Sequence, residues 1–173
     1  LFMDMTIHDF DMANFLVEAD PVEVYARGFN LVDPEIGAAG DIDTAAILIT
    51  FSNQVTVMIE NSRKAVYGYD QRLEVFGSGG MIRTENPLKT TNIYTNESGN
   101  HAARNADFFM DRYIDSYFHE MNLFVAALRE NKPMPISGED GLKAMLLATA
   151  ANISVRENRP VLLQEVEAAY RAI

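Results

Sequence analysis

The sequence has 173 residues, enough for one domain with a sizeable core and too few for two of ordinary size. Its 48% hydrophobic and 10% aromatic content is that of a globular chain and excludes a disordered one. With 14 basic against 25 acidic residues, a formal charge of -11, it would repel a nucleic-acid backbone or an anionic membrane surface.

The chain begins at Leu1, with neither an initiator methionine nor the basic lead-in of a signal peptide, and a helical pattern starts almost at once. Residues 1–173 are therefore expected to be one domain of a longer protein. The helical period covers residues 4–18 and stops at Asp20-Pro21. Over residues 22–29, Val22, Val24 and Ala26 alternate with Glu23, Tyr25 and Arg27, the pattern of a half-buried strand. Residues 31–41 hold Pro34, Gly37 and Gly40 and read as a loop. Two β-rich runs, 44–51 and 55–60, joined by Ser52-Asn53-Gln54, predict a hairpin. A second pair, 72–76 and 81–84, flanks Gly77-Ser78-Gly79-Gly80, and residues 90–95 supply one further strand. Residues 96–105 read as a polar loop carrying His101.

The remainder is helical. Over residues 105–129, Phe109, Tyr113, Tyr117, Met121, Phe124 and Leu128 recur every three or four positions and define an apolar face. Asp107, Asp111, Asp115 and His119 form an acidic line on the same helix, read as solvated. Ser137 with Asp140 is a capping box that opens a helix running to residue 157, and a short helix over 164–172 closes the chain. This order predicts an α+β fold: a large, mostly antiparallel sheet with helices packed on one face. The open sheet face then calls for solvent or a second copy, so self-association as a dimer or tetramer is expected there. The absence of cysteine removes disulfides and thiolate metal sites and fits a cytoplasmic protein. The longest apolar runs, 45–51 and 144–151, fall far short of a membrane span.

The first helix carries the most specific signal. At about 100° per residue, Asp4, His8, Asp11 and Phe15 share one narrow arc, while Met5, Ile7, Phe10, Met12, Ala13, Leu16 and Val17 fill most of the rest. A helix apolar nearly all round is normally buried. Three readings of the stripe stand together: ordinary surface pairs, a catalytic imidazole–carboxylate pair, or a metal site of one His and two Asp. The second has a definite chemistry, since a histidine that titrates near neutral pH takes and returns a hydroxyl proton.

The run Asp4-Met5-Thr6-Ile7-His8-Asp9-Phe10-Asp11-Met12-Ala13 resembles the helix that opens the C-terminal domain of the Gfo/Idh/MocA oxidoreductases. Tyr67-Gly68-Tyr69-Asp70-Gln71-Arg72-Leu73-Glu74-Val75-Phe76-Gly77-Ser78 is similar to the inositol dehydrogenase branch of that family, and Pro135-Ile136-Ser137-Gly138-Glu139-Asp140-Gly141-Leu142-Lys143-Ala144 to its closing helix. The resemblance implies a dihydrodipicolinate reductase-like C-terminal domain that binds substrate and self-associates. It implies an NAD-dependent oxidation of a ring hydroxyl of myo-inositol or a related polyol. On the same ground His8 would be the general base, Asp4 would orient it and bind substrate, and Asp11 would bind another hydroxyl. Tyr67 or Tyr69 would reach the polyol from the strand-edge loop, and the residues leave that choice open.

A dinucleotide site needs a strand, a G-x-G-x-x-G turn, a helix and an acidic ribose anchor. None is legible here: Gly77 to Gly80 joins two strands and reads as a hairpin turn. The family's catalytic lysine, which belongs to the cofactor domain, is missing as well. NAD is therefore expected to be bound by a separate N-terminal domain, no metal is expected, and the chain alone is expected to be inactive. The competing expectation is a non-catalytic binding or assembly module that keeps the fold.

Overall fold

The structure is a computed structural model and describes residues 1–171. In chain order, a π-helical turn (Phe2–Thr6) leads into α1 (Ile7–Leu16), β1 (Pro21–Phe29), α2 (Pro34–Ala38), β2 (Thr44–Phe51) and β3 (Thr56–Ser62). Then come β4 (Leu73–Gly77), β5 (Gly80–Thr84), β6 (Ile93–Asn96), β7 (Gly99–Ala102) and α3 (Phe109–Glu130). The chain continues through α4 (Gly138–Glu157), β8 (Val161–Leu162) and α5 (Leu163–Arg171). Two compact units result: Leu1–Lys64 with the chain from Ile136 onward, and Ala65–Pro135.

The first unit is a four-stranded sheet in the order β3-β2-β1-β8, antiparallel throughout, with helices over one face. Strand alternation decides which face. Val24 and Ala26 on β1, Ala45, Ile47, Ile49 and Phe51 on β2, and Ile59 on β3 point into the core. There α4 lies across β1 and α1 lies against α4. The small side chains Ala144, Ala148 and Ala151, all buried, leave α4 free to approach its neighbours closely. Gly28 on β1 makes room for the Ile42 side chain, whose Cδ1 would lie 2.5 Å from a Cβ there.

Two buried polar groups hold this unit's irregular parts. Because β8 is only two residues long, the edge of β1 that faces it has no strand partner beyond Val24. Ser154, buried on α4, fills the gap: its Oγ accepts from the Ala26 amide at 2.9 Å and donates to the Arg159 carbonyl at 2.6 Å. Asp43, fully buried, accepts from the amides of Leu31, Val32 and Asp33 at 2.8–2.9 Å and from the Thr44 hydroxyl at 2.7 Å. Burial pushes the Asp43 carboxyl up, and these four donors outweigh it, holding the group well below the usual carboxylate range.

The second unit contains two separate hairpins, β4–β5 and β6–β7, and α3. Gly77 pairs with Gly80, so the glycine-rich stretch is a tight hairpin turn as expected. On α3 the acidic positions Asp111, Asp115 and His119 are exposed. So are Tyr117, Phe118, Met121, Phe124 and Leu128, and only Ala127 is buried, so the apolar face read from the sequence is not covered here.

Several boundaries differ from expectation for physical reasons. Residues 31–41 contain a helix, α2, started by Asp33, whose side chain accepts from the Glu35 amide, with Pro34 at the first position. Within 96–105, Gly99–Ala102 pairs with Ile93–Asn96, so His101 lies on a strand. The strands divide among a four-stranded sheet and two hairpins. The capping box at Ser137 and Asp140 forms as read. The end of the last helix, Ala172, lies outside the described residues.

Ser154→Ala leaves the Ala26 amide buried without an acceptor and should cost about 1–3 kcal/mol, measured by denaturant unfolding. Because the Asp43 carboxyl is depressed in the folded state, its stabilisation is present above an unfolded carboxyl's value of about 4 and is lost as pH falls through the folded value. Asp43→Asn should therefore lower the thermal midpoint at neutral pH and flatten the acid limb of stability against pH. An acid limb identical to wild type would show that Asp43 does not carry it.

Candidate functional site

Phe2, Thr6, Phe10, Ala13 and Val17 are buried and set the inward face of the opening helix. Asp4, His8, Asp11 and Phe15 lie opposite and are exposed, together with Met3, Met12 and Leu16. The stripe read from the sequence is therefore a real surface feature. The helix is not buried all round; its apolar flanks, Phe15 at 76% exposed, remain open in this chain.

The helix geometry carries a correction. Instead of one α-helix over 4–18, the chain makes a π turn in which the Thr6 amide reaches back to the Leu1 carbonyl at 3.4 Å, before α1 begins at Ile7. Such turns are rare and carry a wider i→i+5 repeat. Asp4 thus sits in the π turn and His8 on regular α-helix.

The turn is held by two side chains at the end of β3. Asn61 uses both ends of its amide: Oδ1 accepts from the Thr6 hydroxyl at 2.6 Å, and Nδ2 donates to Asp9 Oδ2 at 2.9 Å. Arg63 donates from Nη2 to Asp4 Oδ2 at 2.9 Å and to Asp41 Oδ2 at 3.2 Å, with Nη1 3.7 Å from the Met5 sulfur. Partial burial pulls the Arg63 guanidinium down, and the carboxylates of Asp4 and Asp41 more than reverse this. Asp4 is thereby tied to the sheet, whereas His8 and Asp11 make no hydrogen bond or ion pair among the described residues. Among the described residues no three His, Asp or Glu side chains gather closely enough to hold a metal ion, so the stripe's alternative metal reading has no geometric support.

Tyr67 and Tyr69 belong to the second unit, in the loop before β4. Gly68 between them has φ +113°, and a Cβ there would meet the Ala106 carbonyl oxygen at 2.8 Å, so glycine is required. Tyr69 is the fixed member: its amide donates to the Ala106 carbonyl at 2.7 Å and its ring meets Tyr113 edge-on at 6.1 Å. Tyr67 is 50% exposed, and its hydroxyl donates to Asp70 Oδ2 at 2.5 Å. Asp70 also takes two hydrogen bonds from Arg72, at 2.8 and 2.9 Å, and one from Asn86. Arg72 above all holds the Asp70 carboxyl down at about 2, and Asp70 in turn raises the Tyr67 phenol.

Sequence reasoning singled out none of Asn61, Arg63 or Asp70 as functional. Asn61 and Arg63 act across more than fifty residues of chain, beyond any helical or strand period. Asp70 stood within the Tyr67–Ser78 run, three residues from the tyrosine it holds, and that proximity was the available signal.

Residues 1–163 match the family model described as the oxidoreductase family, C-terminal alpha/beta domain (GFO_IDH_MocA_C). The chain is 49% identical over 166 residues to the myo-inositol 2-dehydrogenase of Thermotoga maritima, covering 96% of this chain and 50% of that protein. The crystal structure of a probable dehydrogenase from Thermotoga maritima superposes with a TM-score of 0.93 at 49% identity, over 95% of this chain and 50% of the other. The scyllo-inositol dehydrogenase of Lactobacillus casei, solved with bound NAD(H) and scyllo-inositol, gives 0.87 at 28% identity, over 95% and 48%. The chain thus spans about half the length of the curated relatives it matches.

Asn61→Ala removes both partners of the opening turn and leaves the Thr6 hydroxyl buried and unpaired. It should cost about 1–3 kcal/mol, and amide hydrogen exchange over residues 2–10 should accelerate more than in β1 and β2. Equal protection of the turn in both proteins would mean that Asn61 does not hold it.

Proposed function

This chain belongs to the Gfo/Idh/MocA oxidoreductases, as their C-terminal alpha/beta domain, and from that premise we propose that it is the substrate-binding and self-associating domain of a dehydrogenase that oxidises a ring hydroxyl of myo-inositol or a related polyol. The observation that carries the reading is the exposed Asp4, His8, Asp11 stripe on a helix that Asn61 and Arg63 fix to the sheet. Residues 1–173 act in it as one C-terminal domain.

His8 is the general base. A neutral imidazole nitrogen takes the proton of the alcohol as the carbonyl forms, and returns it in the reverse direction. Asp4, held by Arg63, binds the substrate hydroxyl, while Asp11 accepts from a second hydroxyl; an orienting contact from Asp4 to His8, expected from the resemblance, is not formed among the described residues. Tyr67, the more exposed of the two tyrosines, is the one that meets the polyol. Carboxylates and a phenol suit this ligand, since a polyol offers many O–H donors in fixed stereochemistry.

The oxidation also releases a hydride, which needs an acceptor. NAD, bound by a nucleotide-binding domain outside this chain, supplies that acceptor. Self-association uses the outer face of the four-stranded sheet, where Tyr25, Leu48 and Met58 form a cross-strand row with Leu48 at 43% and Met58 at 75% exposed. Within the described residues no helix is long and apolar enough to cross a membrane, and the expected place of action is the cytoplasm.

In the complete dehydrogenase, His8→Ala should lower kcat/KM for myo-inositol by about 10²–10⁴, read as NADH formation; unchanged turnover would remove His8 from the base role. This chain alone, given NAD and myo-inositol, should form no NADH. Met58→Glu should shift the complete protein toward smaller species in sedimentation velocity, and an unmoved distribution would place the self-contact elsewhere.

A further inference from the structure

The Asp70 side chain is 15% exposed, and its acceptor capacity is filled. Oδ1 accepts from Arg72 Nε and Asn86 Nδ2, and Oδ2 accepts from Arg72 Nη2 and the Tyr67 hydroxyl. A carboxylate offers about four lone-pair sites, so none is left for a ligand. The arrangement leaves one group free to act on a neighbour's behalf, the Tyr67 phenol.

The polarity of that phenol follows from the proton's position. Two oxygens 2.5 Å apart must share a hydrogen. Asp70 holds no proton near neutral pH, with its carboxyl held at about 2, so the hydrogen is the phenol's own. Tyr67 has then used its single donor inward, and only lone pairs remain on its oxygen. The phenol oxygen has two lone pairs, so even with the Arg72 guanidinium beside it at least one remains for a ligand.

We propose that Asp70 is a positioning residue that fixes the Tyr67 hydroxyl as a hydrogen-bond acceptor toward substrate, so that this subsite takes an alcohol O–H and refuses a carbonyl or ether oxygen. The inference rests on the polyol reading of Tyr67 given above. It deepens that reading into a rule of specificity: the hydroxyl bound at Tyr67 is a spectator that must keep its hydrogen, and a ring already oxidised or alkylated there presents oxygen to oxygen. A donor-lacking analogue is penalised strongly where the site's polar group is left facing a like dipole.

The test uses the complete dehydrogenase and its Tyr67→Phe and Asp70→Asn variants. The tyrosine absorbance change missing from Tyr67→Phe should lie above an ordinary phenol's value of about 10 in the parent protein and return toward it in Asp70→Asn. In parallel, Asp70→Asn, whose amide can donate to the phenol oxygen, should raise KM for myo-inositol about tenfold and move kcat far less. A Tyr67 titration at the ordinary value, or one that ignores Asp70→Asn, overturns the proposal, as does an unchanged KM. If Asp70→Asn does not fold, the parent protein against Tyr67→Phe decides alone. A parent protein that oxidises no polyol refutes the function proposed above, while the titration still judges Asp70.

Discussion

The geometry of the candidate site depends on one amide. Asn61, near the end of an edge strand, binds Thr6 through its oxygen and Asp9 through its nitrogen, and so fixes where the opening helix begins relative to the sheet. A helix this short has little intrinsic stability and relies on tertiary contacts. Its buried side chains, Phe2, Phe10, Ala13 and Val17, give it a face but no unique axial position, because apolar contacts tolerate sliding. The two directional bonds supply that position. Arg63 adds a third constraint two residues later by holding Asp4, and its own amide donates to the carbonyl of Asp43, the carboxylate that ties down the 31–33 loop. The catalytic proposal for His8 and Asp4 thus stands on a polar clamp at the edge of the sheet.

What could be read from the sequence was what repeats or what lies close together in the chain. Alternation in β1, the Ser137–Asp140 capping box and the one-sided placement of Asp4, His8 and Asp11 are all local, and all three appear in the structure. The misreadings share a different cause. The π turn at Phe2–Thr6 has no sequence period distinct from an α-helix over so few residues. β8 is two residues long and exists only because β1 offers it an edge. Asn61 and Arg63 look like unremarkable polar residues at a strand end until the helix they hold is seen. The α2 helix was the legible miss, since Asp33 followed by Pro34 is an N-terminal signal within what otherwise reads as a loop.

The helix stripe and the Tyr67 loop treat their polar groups in opposite ways. On the helix, the groups proposed to act, His8 and Asp11, carry no partner among the described residues and keep their hydrogen-bonding capacity for a ligand. Before β4, Tyr67 is committed to Asp70, and its remaining capacity has a defined sign. A polyol presents the same functional group at every ring carbon, so discrimination needs contacts that differ in donor and acceptor sense as well as in position.

The first unit is assembled from chain segments on either side of the whole Ala65–Pro135 stretch. This has a consequence for the order of events during synthesis. The strands β1, β2 and β3 leave the ribosome early, but α4, which covers β1 and brings Ser154 to the Ala26 amide, follows only after the intervening unit has been made. Until then Val24, Ile47, Ile49 and Phe51 face water on an unfinished sheet, and closing so long a loop carries an entropic cost. The nascent chain therefore passes through an interval in which its future core is an adhesive surface, and that interval lengthens with every residue added to the inserted unit.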